Sequence, residues 1–202
     1  MKVALLGATG KAGSRILTEL LARGHRVSAI VREPAKLTVH PGLDVVRGDA
    51  GDLDGLAVQL AGHDAAISSI KFIDSDPALL IEAVRRAGVP RYLVVGGAGS
   101  LWVAPALKLV DSPEFPPQAR PEALRGAEFL DQLKASDLDW SFLSPSKLFQ
   151  PGARTGRFRL GADTLLVGAD GNSRISFEDY AIALVDELER PQHTRQRFTV
   201  GY

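Results

Sequence analysis

The chain opens on a short apolar run, Val3-Ala4-Leu5-Leu6, that ends in three glycines spaced G-x-x-G-x-x-G: Gly7-Ala8-Thr9-Gly10-Lys11-Ala12-Gly13. A helical pattern follows, with Ile16, Leu17, Leu20 and Leu21 on one face and Gly24 as its stop. Strand, glycine turn and helix in that order form a phosphate-binding unit. Gly7 allows the sharp turn, Gly10 lets a pyrophosphate approach the backbone, and Gly13 lets the helix pack close to the strand. The helix N-terminus adds free N–H groups and partial positive charge. A P-loop is excluded at two positions, because Gly10-Lys11 is followed by Ala12 and the place of its leading glycine is Leu5. The glycine unit therefore predicts a dinucleotide site, not triphosphate hydrolysis.

The remaining pattern predicts an α/β chain in which strands alternate with helices: strands over 2–6, 26–31, 43–47, 65–70, 92–95, 140–143 and 198–200, helices over 11–23, 52–60, 76–88, 122–135 and 176–189. Asp76-Pro77 starts one helix, Gly88 ends it, and Ser176-Phe177-Glu178-Asp179 has the form of a capping box. Apolar central strands alternating with helices point to one doubly wound Rossmann domain over 1–202, a mostly parallel sheet covered on both faces, in the order 3-2-1-4-5-6. The ligand then lies across the carboxyl ends of strands one and four. Two irregular stretches leave that same side. Residues 98–120 carry Pro105, Pro113, Pro116 and Pro117, and 144–156 follow strand six. They read either as the substrate-side wall or as proline-stiffened surface insertions.

Composition narrows the partners. Lys plus Arg and Asp plus Glu are 24 each among 202 residues, so nothing draws the chain to nucleic acid or an anionic membrane. There is no cysteine, and the four histidines lack ligand spacing, so no metal site is expected. No secretory leader pattern opens the chain and no apolar run is long enough to span a bilayer, which predicts a cytoplasmic protein acting on a small molecule.

The cofactor is read from strand ends. An acidic residue closing strand two would hold the adenosine ribose of NAD. That place falls on Val31, with Arg32 next and Lys36 close behind, which favours the 2′-phosphate of NADP(H). Glu33 either pairs with Arg32 or reaches the ribose. Asp49, in Arg47-Gly48-Asp49-Ala50, is placed to accept from the adenine amino group while Ala50 offers backbone contact. Alternatively, Asp49 and Asp52 cap the following helix. Ser68 and Ser69 end strand four at the switch point, where small residues let the backbone approach the cofactor.

With these residues in view, the chain resembles the atypical short-chain dehydrogenases of the NAD(P)-binding, NmrA-like group. Within it, it is similar to bacterial proteins grouped as NADH-flavin reductases and to the mammalian flavin and biliverdin reductase. The matching stretches are Gly7–Gly13, Ala29–Arg32, Arg47–Asp49, Leu93–Ser100, Ser144–Ser146 and Arg174–Ala181. The resemblance implies that Gly96 and Pro145 border the cofactor and that an acceptor is reduced. One departure bears on the chemistry. Short-chain dehydrogenases use Tyr-x-x-x-Lys, but the residues four after Tyr92 and Tyr180 are Gly96 and Leu184, and Tyr202 ends the chain. Where the mammalian relative has a histidine after the strand-six proline, this chain has Ser146.

Flavin reduction needs mainly that two rings be stacked for hydride transfer, so the missing tyrosine fits a flavin or quinone-like acceptor better than carbonyl chemistry. Ser146 and Ser100 remain as polar candidates at the reacting end. Ser100 is in no G-x-S-x-G elbow, and Lys147 reads as a rim charge. Trp102, Phe115 and Phe149 either wall an isoalloxazine or anchor their loops. Two alternatives remain: a non-catalytic module that senses NADP(H) and acts through a partner, and an epimerase- or dehydratase-type enzyme.

Overall fold

The computed structural model describes all residues 1–202. In chain order its strands are β1 (Lys2–Leu6), β2 (Arg26–Val31), β3 (Leu43–Arg47), β4 (Ala65–Ser68), β5 (Tyr92–Val95), β6 (Trp102–Ala104), β7 (Leu107–Lys108), β8 (Trp140–Ser144), β9 (Leu148–Gln150), β10 (Arg159–Gly161), β11 (Arg174–Ser176) and β12 (Gln196–Gly201). The helices are α1 (Lys11–Ala22), α2 (Leu53–Leu60), α3 (Pro77–Ala87), α4 (Arg120–Ala135) and α5 (Phe177–Glu189). Eight strands form one sheet in the order β10-β12-β8-β5-β4-β1-β2-β3. Every pair in it is parallel except β10 with β12.

The predicted order is borne out and extended, because β12 adds to the β8 edge and carries the antiparallel strand β10 outside it. Parallel strands buried on both faces alternate which side they serve. In β1, Val3 and Leu5 pack into the layer of α1 and α5, whereas Ala4 and Leu6 pack into the layer of α2, α3 and α4. The β1 side chains facing both layers are all apolar, which fixes the register of β1 between β2 and β4.

Local signals end the helices as the sequence implies. The Asp76 carboxylate accepts from the Ala78 and Leu79 N–H groups, Asp52 accepts from Gly55, and Gly88 closes α3 at φ +64°. The capping box at α5 forms only by half. Ser176 Oγ accepts from Asp179 N–H at 3.0 Å, but the Asp179 carboxylate turns away from the Ser176 N–H, which goes to the Tyr202 hydroxyl.

The segments expected to be irregular are ordered. Within 98–120, β6 and β7 form a hairpin whose turn residue Ala106 has φ +59°. Leu101, Leu109 and Val110 are buried beneath it, and Arg120 donates to the Val110 carbonyl at 2.6 Å. Within 144–156, β9 pairs in parallel with β11. No helix is long and apolar enough to cross a membrane.

Candidate active site

A cleft of about 350 Å³ opens at the carboxyl ends of β1, β2, β3 and β4. Its floor is the glycine turn. Gly7 has φ +79°, and a Cβ there would collide with the Ser69 carbonyl; a Cβ on Gly13 would collide with the Gly7 carbonyl. Both glycines are thus required by the protein's own packing. Gly10 differs. Its backbone is extended (φ −75°, ψ 170°), a conformation open to any residue, and a Cβ would meet the Gly7 carbonyl closely, at 3.2 Å, and the Ser69 carbonyl at 3.9 Å, without the overlap seen at Gly7 and Gly13. The protein fold demands glycine less strongly here than at Gly7 or Gly13. Gly10 caps α1 with no side-chain acceptor, and the first turn holds no acidic residue. By contrast, Asp52, Asp76 and Ser176 cap α2, α3 and α5. An uncapped helix end with a bare backbone approach fits a pyrophosphate.

The cleft wall comes from β2 and β3. Val31 is buried at the strand end, and Arg32 and Lys36 are exposed at the mouth. The Glu33 carboxylate is taken by Lys36 Nζ at 2.8 Å, which holds its carboxyl below the usual range, with Arg32 acting on it only as a weaker, more distant charge. The pairing left open between Glu33 and Arg32 is thus not made, and Arg32 faces the cleft without a carboxylate partner. Asp49 spends Oδ1 on the Gly51 N–H (2.9 Å) and keeps Oδ2 unshared, while Asp52 alone caps α2. Ala50 and Ser69 line the cleft as well.

Several predicted residues lie elsewhere. Ala8 and Ser68 are buried and do not line the cleft; Ser68 lies against the phenol of Tyr92 in the core between β4 and β5. Gly96 is glycine because a Cβ would overlap the Phe142 ring, and its N–H donates to the Leu143 carbonyl at 2.8 Å. Pro145 is buried behind β8. Lys11 and Ala12 stand in the first turn of α1, above the cleft floor.

The two serines proposed for the reacting end are structural. Ser146 is 1% exposed, and its hydroxyl donates to the Val200 carbonyl at 2.9 Å, tying the end of β8 to β12. Ser100 is buried and accepts from Arg197, which also pairs with Asp163. Phe149 packs edge-on against Phe177 at 4.5 Å and against Tyr180 at 4.6 Å, so it anchors its loop to the core. Trp102 is partly exposed, with Lys108 over its ring at 5.5 Å. Lys147 bridges to Glu114 at 3.8 Å, from one irregular segment to the other.

The tyrosines are held within the fold as well, although the buried Tyr92 hydroxyl makes no hydrogen bond. Tyr92 and Tyr180 are fully buried, and burial pushes both phenols far above their usual value. The Tyr180 hydroxyl donates to the Leu143 carbonyl at 2.6 Å. That of Tyr202 bonds Ser176 and Asp179. Sequence reasoning missed Lys71 and Asp74, which line the cleft just past β4. The available signal was their position, two and five residues beyond Ser69.

A family model described as NAD(P)H-binding matches residues 7–191, from the glycine turn to the end of α5. The chain belongs to the NAD(P)H-binding family. Three solved structures are similar along their whole length. A Bacteroides thetaiotaomicron protein provisionally called an epimerase is 45% identical, covers 100% of this chain and 96% of its own, and superposes with a TM-score of 0.95. A Burkholderia pseudomallei protein provisionally called exported is 43% identical, with full coverage of both chains and a TM-score of 0.90. A Streptococcus pneumoniae protein provisionally called an NADH-flavin reductase is 35% identical, covers 100% and 99%, and has a TM-score of 0.86. The resemblance drawn from the sequence motifs thus holds for this NAD(P)H-binding chain over its full length.

Proposed function

We propose that this NAD(P)H-binding protein is an NADPH-dependent reductase of the cytoplasm that passes hydride to a flavin or quinone-like acceptor. The observation that carries the cofactor preference is Arg32. It stands at the cleft mouth with the adjacent Glu33 carboxylate tied to Lys36 and makes no ion pair of its own. A guanidinium free of carboxylates is suited to a 2′-phosphate. Gly7, Thr9 and Gly10 with the α1 N-terminus would hold the pyrophosphate, and Asp49 Oδ2 with Ala50 would receive the adenine. When bound, the nicotinamide supplies the hydride. The chain's own residues bind and orient it. The acceptor class is supported by what the side chains do not offer: Tyr180, Tyr202, Ser100 and Ser146 are engaged in hydrogen bonds within the fold, and Tyr92 is buried in the core. Flavin reduction asks the protein for alignment more than for a proton donor. The likeness to the S. pneumoniae protein adds weight.

The same engaged side chains favour a second reading, a sensor that binds NADP(H) without turnover and acts through a partner. Steady-state NADPH oxidation with FMN, riboflavin and a quinone separates the two. Turnover with one of these acceptors supports the reductase. Tight NADPH binding with no turnover of any acceptor rejects it in favour of the sensor. Comparing NADH with NADPH in the same titration tests Arg32, since equal affinities would remove the preference.

A further inference from the structure

A second cavity, of about 490 Å³, lies between the 150–157 segment and β11, with Tyr202 at its side. It stands near the N-terminus of α1, as a chain of contacts shows. Arg15 of α1 donates to Glu178 at 3.1 Å, and the same carboxylate accepts the Gly152 N–H at 2.9 Å; Gly152 lines the cavity. The cavity is therefore on the sheet edge that bears the cofactor cleft, yet shares no residue with it.

One corner is rigid. The fully buried Asp179 carboxylate accepts the N–H groups of Thr155 (2.7 Å) and Gly156 (2.8 Å), the Thr155 hydroxyl (2.5 Å) and the Tyr202 hydroxyl (2.7 Å). Gly156 turns the chain at φ +67°, and Thr155 Oγ1 accepts the Arg157 N–H at 3.1 Å. Arg157 is thus presented from a fixed turn, exposed and without an ion-pair partner, whereas the other guanidinium of the cavity, Arg174, pairs with Asp170 at 2.5 Å. The acidic groups nearby are spent: Asp179 on its four donors, Glu178 on Arg15 and Gly152.

We infer that this cavity receives the anionic tail of the acceptor, with Arg157 as the charge that selects a phosphate-bearing flavin over a neutral one. The inference rests on the reductase reading and names a substrate class for it. A charge-assisted contact from a pre-ordered turn to a phosphate alters affinity about tenfold or more, and only for a ligand that carries the phosphate.

The test compares FMN with riboflavin, which lacks the phosphate, in the intact protein and in Arg157→Ala and Arg157→Lys. Flavin-fluorescence quenching reads binding and NADPH oxidation reads turnover. The expected result is an FMN dissociation constant and KM raised about tenfold by Arg157→Ala and partly restored by Arg157→Lys. Riboflavin values should stay within about twofold, and NADPH affinity should be unchanged. Equal effects on FMN and riboflavin, or none on FMN binding, would overturn the inference. If the unmodified protein turns over neither flavin, the flavin form of the reductase reading falls. The quenching comparison still decides whether Arg157 selects the phosphate.

Discussion

At the residue scale, the three glycines of one motif answer to different masters, and substitution should separate them. Gly10→Val places a branched side chain where the backbone must meet a phosphate. NADPH binding should be lost while the circular dichroism and melting temperature stay close to those of the parent; retained wild-type affinity would remove this turn as the phosphate site. Gly13→Ala drives a methyl into the Gly7 carbonyl. It should cost about 1–3 kcal/mol of stability, the usual range for overpacking, measured by urea unfolding without cofactor. Arg32→Ala should weaken NADPH by about 1.5–3 kcal/mol, roughly ten- to hundredfold, and leave NADH nearly as before. Parallel titrations of the two nucleotides check it, and an equal loss for both would assign Arg32 to the shared part of the cofactor. The motif was legible in the sequence because each glycine's spacing reports local backbone geometry. The roles of Ser100 and Ser146 were not, since a hydroxyl's purpose depends on the atoms it faces, here Arg197 and the Val200 carbonyl.

At the element scale, α5 is the part that binds distant segments together. Its first turn fastens 155–156 and Tyr202 through Asp179, and its last turn holds Glu187. The Glu187 carboxylate accepts from Arg91 (2.9 Å), from Ser141, and from the N–H and ring of His193. For Asp179, burial alone would push the carboxyl up. The Thr155 hydroxyl, the Gly156 N–H, the Tyr202 hydroxyl and the Thr155 N–H outweigh it and hold the carboxyl below its ordinary value. A depressed carboxyl contributes stability that is complete above the unfolded value, about 3.9, and fades as pH falls through the lower folded value. Asp179→Asn should therefore cost about 1–3 kcal/mol at neutral pH. That penalty should shrink as pH falls below about 4, where the unfolded chain's carboxyl takes up its proton, and go on shrinking through the lower folded value. Urea unfolding at both pH values tests this, and an equal penalty at the two would mean that the charge is not what matters. The helix itself was readable from Ser176 onward. The fastening was not, because Asp179 looks like half of a capping box until Thr155 and Gly156 are brought to it.

At the scale of the whole molecule, the cofactor cleft uses the β1-to-β3 half of the sheet, and the 98–120 segment crosses the other half. Replacing Trp102 and Phe115 with Ala should lower acceptor turnover or raise its KM while NADPH affinity stays constant. Cofactor binding and acceptor turnover measured on one preparation would show it, and unchanged turnover with every acceptor would confine the segment to a structural part. The sheet order was legible for the strands with apolar runs. Two pieces escaped. The β6–β7 hairpin turns at Ala106, a residue that gives no turn signal even though its φ is positive. Arg159-Leu160-Gly161 has a single apolar residue, and what makes it a strand is pairing with Thr199–Gly201, far along the chain.

That pairing bears on how the protein is made. During synthesis β8 and β10 leave the ribosome well before β12, which must then slot between them and complete the sheet. Until it does, β8 offers an unpaired apolar edge of the kind that recruits other chains. A nascent molecule is therefore at its most vulnerable until β12 is in place. The longer that edge waits for β12, the more readily it pairs with another chain, and this happens without altering one contact of the finished fold.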